Sequence, residues 1–145
     1  MTDPVKNLVD STIRLKVSSV LNKDTTNFGK QFLVDGNDET CWNSDQGKPQ
    51  FILIDFGRSV IVKELVLQFQ GGFVGKQCQA FGCKTGTAYE PLLSFYPDDN
   101  NMVQRFPVLS PERPIEKLKL VFEDSTDFFG RVTVYKLEVL GMEAS

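Results

Sequence analysis

Apolar and polar residues alternate with a period of two in one short segment after another, and no segment sustains the 3.6-residue period of a helix. "IRLKVSSV" (Ile13 to Val20), "IEKLKLVF" (Ile115 to Phe122) and "VTVYKLEVLG" (Val132 to Gly141) alternate well. "FILIDF" (Phe51 to Phe56) is apolar on both faces except at Asp55, which suits a central strand. "VIVKELVLQF" (Val60 to Phe69) follows after the turn "GRS". "LLSFY" (Leu92 to Tyr96) stops at Pro97, and "VQRFPVL" (Val103 to Leu109) carries Pro107, a strand-end or edge signal. About seven or eight short strands between turn signals predict an all-β antiparallel sandwich or barrel. The chain reads as one domain, 1–145, with its core at about 13–141. "KNLVDS" reads as a single turn.

Composition narrows the function. The chain has no histidine, which removes a Ser-His-Asp triad, a Cys-His pair and a His-bearing zinc site. Paired carboxylates such as Asp98-Asp99 or Asp124-Asp127 are the remaining catalytic option, but they lie among turn formers. Cys41, Cys78 and Cys83 are an odd number, which reads as reduced thiols rather than an extracellular disulfide framework. The net charge is −3 and the basic residues are scattered, so no direct nucleic-acid partner is expected. The start, "MTDPVKNLVDS", lacks the pattern of a signal peptide, and no apolar run approaches the ~20 residues of a membrane span. A soluble intracellular protein is the expectation.

Three loops place phenylalanine beside glycine in polar surroundings: "NKDTTNFGKQ" (Asn22 to Gln31), "GGFVGKQ" (Gly71 to Gln77) and "EDSTDFFGR" (Glu123 to Arg131). Loops at one end of a sandwich cluster in space, and binding residues concentrate there. A fourth stretch, "DGNDETCWNSD" (Asp35 to Asp45), sets the only tryptophan in a polar run. Trp42 is either an exposed binding residue or an anchor that pins the loop to a core. Asp35, Asn37, Asp38 and Thr40 around Gly36 could wrap a cation, but calcium takes 6–8 oxygens, and spacing alone favours an Asx-type turn.

"LVDGNDETCWNSD" followed by "QFILIDFGRSVIVKELVLQF" resembles the discoidin (coagulation factor type C, galactose-binding-like) family. The shared pattern is Asp35-Gly36, Thr40, Trp42 and Ser44, then Ile54-Asp55-Phe56-Gly57, and the closing "FGRVTVYKLEVLG". "SSVLNKD", "FGKQFL", "QFQGGF" and "FYPDDNN" are similar to one small intracellular branch of it. In that branch a single-domain protein associates with, and represses, the orphan nuclear receptor called testicular receptor four. The resemblance implies a jelly-roll sandwich with eight core strands and Trp42 as a structural anchor. It also implies a location in the nucleus, possible also in the cytoplasm. Cation-binding relatives supply a carboxylate from the last strand; here alignment puts Lys136 at that place, with Glu138 two residues on. The expectation is that the Asp35, Asn37, Thr40 loop holds no calcium and that Lys136 pairs with Asp35 instead.

Discoidin relatives use their loops for glycans, anionic lipid or protein. For such a surface Phe28, Phe73, Phe128 and Phe129 offer rings, and Asn100, Asn101 and Arg131 offer hydrogen bonds. At least half of the four rings are expected to be buried, with Phe129 in the core, and Arg131 to pair with Asp124 or Asp127. Membrane insertion would use Phe73-Val74 with only Lys30 and Lys76 for support, so no membrane partner is expected. The leading reading is a non-enzymatic receptor-binding repressor; the alternative is a glycan- or lipid-binding module.

Overall fold

The structure, a computed structural model, describes residues 4–144. Its strands are β1 (Lys6–Asn7), β2 (Arg14–Val17), β3 (Trp42–Asn43), β4 (Gln50–Phe69), β5 (Gly75–Cys83), β6 (Glu90–Phe95), β7 (Val103–Pro107), β8 (Ile115–Ser125) and β9 (Thr133–Glu143). Every pairing is antiparallel. Among the described residues, helix is confined to α1 (Thr25–Phe28) and 3-10 turns at Leu21–Lys23 and Lys30–Leu33.

The fold turns on β4. "FILIDF" and "VIVKELVLQF" are not two strands but one strand of 20 residues that serves both layers. Its first half pairs with β2 and β8. Beyond the register shift between Asp55 and Val60, its second half pairs with β7 and β9. Gly57 lies in that bend at φ +68, where nothing would crowd a Cβ; the left-handed backbone alone asks for glycine. One layer is thus β6-β5-β8-β4-β2, and the other is β7-β4-β9 with β1 and β3 on the outer edge of β9. Counting β4 once in each layer, five strands face three, which is the eight-stranded sandwich that the family resemblance implies and one of the two architectures, sandwich or barrel, that the periodicity leaves open.

Alternation decides what fills the space between the layers. Ile52, Ile54 and Phe56 of β4 alternate with less buried neighbours, as do Leu118 and Leu120 of β8. They meet Leu65, Leu67 and Phe69 from the far half of β4, and Leu137 and Val139 from β9. Phe69 and Phe122 bridge the layers edge-to-face at 5.8 Å, and Phe95 against Phe106 at 4.8 Å closes the β6–β7 seam. Each such ring contributes roughly 1.5–3 kcal/mol by leaving water.

Two segments depart from the sequence reading. "KNLVDS" is a turn only at its end, Asp10 and Ser11: Lys6 and Asn7 pair with Gly141 and Leu140, and Leu8 and Val9 are buried. The end of "GGFVGKQ" is not loop, because β5 begins at Gly75. Glycines disfavour a strand by propensity, but here they admit close neighbours. A Cβ on Gly75 would sit 2.6 Å from the Phe122 ring, and one on Gly82 would sit 2.8 Å from Ile115.

All three cysteines are free. Cys78 and Cys83 lie in one extended strand, about 16 Å apart at ~3.3 Å per residue, far beyond disulfide reach. Burial pushes the Cys78 thiol strongly up; burial also raises Cys41, against a hydrogen bond from Asn43 that lowers it. A thiol reagent at neutral pH is therefore expected to label Cys41 slowly and first. Cys78 and Cys83 should react only on unfolding, as peptide mapping of partially labelled protein would show.

Candidate functional site

At one end of the sandwich the connections β3–β4, β4–β5 and β8–β9 are tied into one rigid rim. Ser44 makes the first link: its N–H donates to the Val132 carbonyl at 2.9 Å, and its hydroxyl accepts the Val132 N–H at 2.8 Å. Buried Gln50 makes the second. Its amide donates to the carbonyls of Asp45 and Gly47, and its oxygen accepts the Ser18 and Ser19 hydroxyls. Thr126 and Val74 exchange two hydrogen bonds, and Thr133 N–H donates to the Phe73 carbonyl. Gly47 N–H donates to the Phe129 carbonyl at 2.8 Å. That contact requires Gly130: it has φ +84, and a Cβ there would lie 2.5 Å from the Gly47 carbonyl oxygen.

Trp42 is the anchor beneath the rim. It is 0% exposed, its indole N–H donates to the Ser19 carbonyl at 2.9 Å, and its ring packs on Phe122 with centroids 6.5 Å apart. The polar run around it folds outward while the indole points into the core.

The β8–β9 loop is built around Asp127. Its carboxylate accepts the Phe129 and Arg131 backbone N–H groups at 3.1 Å and the Arg131 guanidinium at 2.9 and 3.0 Å. The Arg131 side chain is the foremost cause that holds the Asp127 carboxyl below its ordinary range. Arg131 in turn lies 5.3 Å from the Phe73 ring and 5.5 Å from the Phe129 ring. At the tip, Phe128 is 86% exposed and Phe129 is 54% exposed, packed on each other edge-to-face at 5.3 Å.

These positions correct several expectations. None of the four candidate rings is buried: Phe28 and Phe73 are half-buried, and Phe129 stands outside the core because its backbone is held by Gly47 and Asp127. Val74, not a protruding tip residue, is fully buried. One expectation holds: of the two acids considered for Arg131 it pairs with Asp127, while Asp124 pairs with Lys48 at 2.8 Å. Asn100 and Asn101 use their side-chain oxygens internally, on the Met102 and Gly71 backbone N–H groups. Asn101 and Asp99, which accepts the Gly72 N–H, brace the β4–β5 loop, whereas Asn100 bonds within its own loop region, to Met102 and Gln104.

Beside the tip lies a cleft of about 220 Å³ lined by Leu21, Asn43, Ser44, Gln70, Phe73, Arg131 and Thr133. Phe28 is not part of it. Asn43, Gln70 and Thr133 carry no local signal in the sequence, since they are ordinary polar residues at strand ends that only the fold gathers.

The Asp35 loop lies beside β9, where Gly36, Asn37 and Asp38 share a small hollow with Lys136 and Glu138. The expected Asp35–Lys136 ion pair does not form. Asp35 instead accepts the Asn37 N–H at 3.0 Å and the Thr40 hydroxyl at 2.6 Å, and the Asn37 oxygen accepts the Glu39 N–H at 2.9 Å. Its oxygens are turned into its own turn, and a lysine, Lys136, is among the residues that line the hollow. This donor set does not fit calcium, which takes 6–8 oxygens.

Sequence comparison decides the kinship. A Danio rerio protein called nuclear receptor 2C2-associated protein is 51% identical over 137 residues, spanning 94% of this chain and 96% of that relative. The Homo sapiens protein of the same name is 48% identical over 126 residues, 87% of this chain and 89% of the relative. The chain belongs to the nuclear receptor 2C2-associated protein family. No protein-family model matches it. In structure this family member is similar to the C-terminal domain of a chitobiase from Bacteroides fragilis, with TM-score 0.81 at 20% identity over 97% of this chain and 100% of that one. It is also similar to the family 32 carbohydrate-binding module of Clostridium perfringens NanJ, solved with galactose, with TM-score 0.77 at 17% identity over 94% and 99%. At such identities the likeness establishes the shared galactose-binding-like sandwich and nothing about ligand.

Proposed function

We propose that this chain is a non-enzymatic nuclear protein that docks through its loop rim on a nuclear receptor, the orphan testicular receptor four, and represses by covering the receptor's DNA-reading or dimerising surface. The observation that carries this reading is the Phe128–Phe129 pair. Two large rings are held in water by a loop whose backbone is bonded at Phe129 and Arg131, with Arg131 between Phe73 and Phe129. Holding such rings in water wastes about 1.5–3 kcal/mol per side chain that a core position would recover, and a partner surface recovers it. Exposed Tyr96 and Met102 lie on the neighbouring loop, which is bonded to Gly71 and Gly72. Phe, Tyr, Met and Arg are enriched at protein interfaces, and Tyr and Arg among the hot spots within them. The names of the relatives support a receptor as the partner.

A second reading, a sugar in the cleft under Phe73, is favoured by the ring and the amides of Asn43 and Gln70. Against it, 220 Å³ falls below the roughly 300–1,000 Å³ of small-molecule sites, and Arg131 is held by Asp127.

The experiment is a receptor titration with wild type and with the F128A/F129A double variant. The loss expected is about 30-fold or more in affinity, as for a hot-spot pair, with unchanged circular dichroism. Retained affinity removes the rim as the interface. A gel shift of the receptor on its DNA element tests the mechanism: added wild-type protein should release the DNA, and an unchanged shift rejects repression by occlusion. Galactose-series sugars that bind wild type and fail on Phe73→Ala would favour the second reading.

A further inference from the structure

Docking at the rim leaves the broad outer face of the β5-β8-β4-β2 layer unused, and the strand register makes that face basic. Across β2, β4, β8 and β5, Arg14 lies opposite Asp55, Asp55 opposite Lys117, and Lys117 opposite Cys83. In the next row Lys16 lies opposite Leu53, Leu53 opposite Lys119, and Lys119 opposite Phe81. The alternate residues Ile52, Ile54, Leu118, Leu120 and Ala80 are buried in the core, so both rows lie on the far side of the layer. Phe51 belongs to the same face, with the Lys119 ammonium 5.3 Å from its ring centroid.

Among the described residues, none of Arg14, Lys16, Lys117 and Lys119 pairs with a carboxylate. The one acid among them, Asp55, accepts the Gly57 N–H at 3.0 Å. On a chain of net charge −3 this face carries the opposite sign. Cations on an edge strand commonly guard it against unwanted pairing, which accounts for Arg14 and Lys16 on β2. That reason does not reach Lys117 and Lys119, because β8 is interior, paired on both sides by β4 and β5.

We propose that this face docks an acidic polypeptide segment in which apolar residues are interleaved. Charge complementarity selects the acids, and the half-buried Leu53, Phe51 and Phe81 between the cations take the apolar side chains. A single-stranded nucleic acid fits less well: its bases need free aromatic faces, whereas Phe51 carries an ammonium and Phe81 is half-buried. Two strand steps separate Lys16 from Lys119, about 10 Å or one three-residue turn of a polyproline II segment, so an acid at every third position turns successive carboxylates to the row.

The probe is a fluorescent peptide repeating Asp-Ser-Leu, titrated against the whole chain. Saturable binding that weakens with salt is expected, with a loss of about tenfold or more in K16E/K119E. The R14E/K117E variant, on the neighbouring row, should lose affinity likewise and covers the case in which the first variant does not fold. Absence of saturable binding to wild type, equal affinity for a folded charge-reversed variant, or tighter binding of oligothymidylate than of the peptide overturns the proposal.

Discussion

Trp42→Ala is expected to lower the folding free energy by about 3–5 kcal/mol, the usual cost of truncating a buried tryptophan. The indole is wholly enclosed, packs on Phe122, and through it meets Phe69, so the cavity would open where the two layers join. Truncation also leaves the Ser19 carbonyl without its donor. Ser19 and its neighbour Ser18 bond Gln50, which holds the Asp45 and Gly47 carbonyls, and Gly47 holds Phe129. The effect should therefore reach the rim: proteolytic nicking near Phe128 should rise well before global unfolding. Trp42→Phe keeps part of the packing and loses the hydrogen bond, so an intermediate loss is expected. Urea unfolding with an unchanged m-value reads the difference. A loss under about 1 kcal/mol for Trp42→Ala would mean that the indole is no anchor.

Gly141→Ala is the second large effect, although it removes nothing. A Cβ at position 141 would lie 2.1 Å from the Ile61 carbonyl oxygen and 2.8 Å from Leu8. The first neighbour is backbone and cannot turn aside, so β9 would have to move off β4. Gly141 is also where β1 is paired, through Lys6. Overpacking of this kind costs about 3 kcal/mol, roughly 10 °C in Tm for a chain of this size. Amide exchange should accelerate first at Leu8, whose N–H donates to the Val139 carbonyl. An unshifted Tm would show that β9 yields at that point without cost.

The tests separate stability from docking. Trp42 and Gly141 act on the sandwich, whereas Phe128 and Phe129 are exposed and should alter receptor affinity with the fold intact. Lys16 and Lys119 sit on a third surface, so their charge reversal reports on neither.

Period-two alternation determined the class of fold, because alternate residues of a half-buried strand must face core and water whatever their partners are. The Asp-Gly turn was legible for a related reason, since its polar residues bond their own backbone, whereas Trp42 as an anchor came from the family resemblance: Phe128 is as apolar a ring and stands in water. What alternation cannot express is a strand shared by two layers. The bend in β4 looked like a turn because a left-handed glycine breaks the pattern without ending the pairing. β5 was missed for the same kind of reason, since Gly75 and Gly82 are there to admit Phe122 and Ile115 from neighbouring strands. The fate of each loop phenylalanine rested on hydrogen bonds from residues far off in the chain, such as Gly47 to Phe129. The basic face likewise exists only in three dimensions: Lys16 and Lys119 are scattered charges along the chain, and the register of β2, β4 and β8 sets them in one row. Local sequence carries a residue's own preference for core, turn or water; which distant residues share its surface is a property of strand pairing, and that is settled only when the sheet closes.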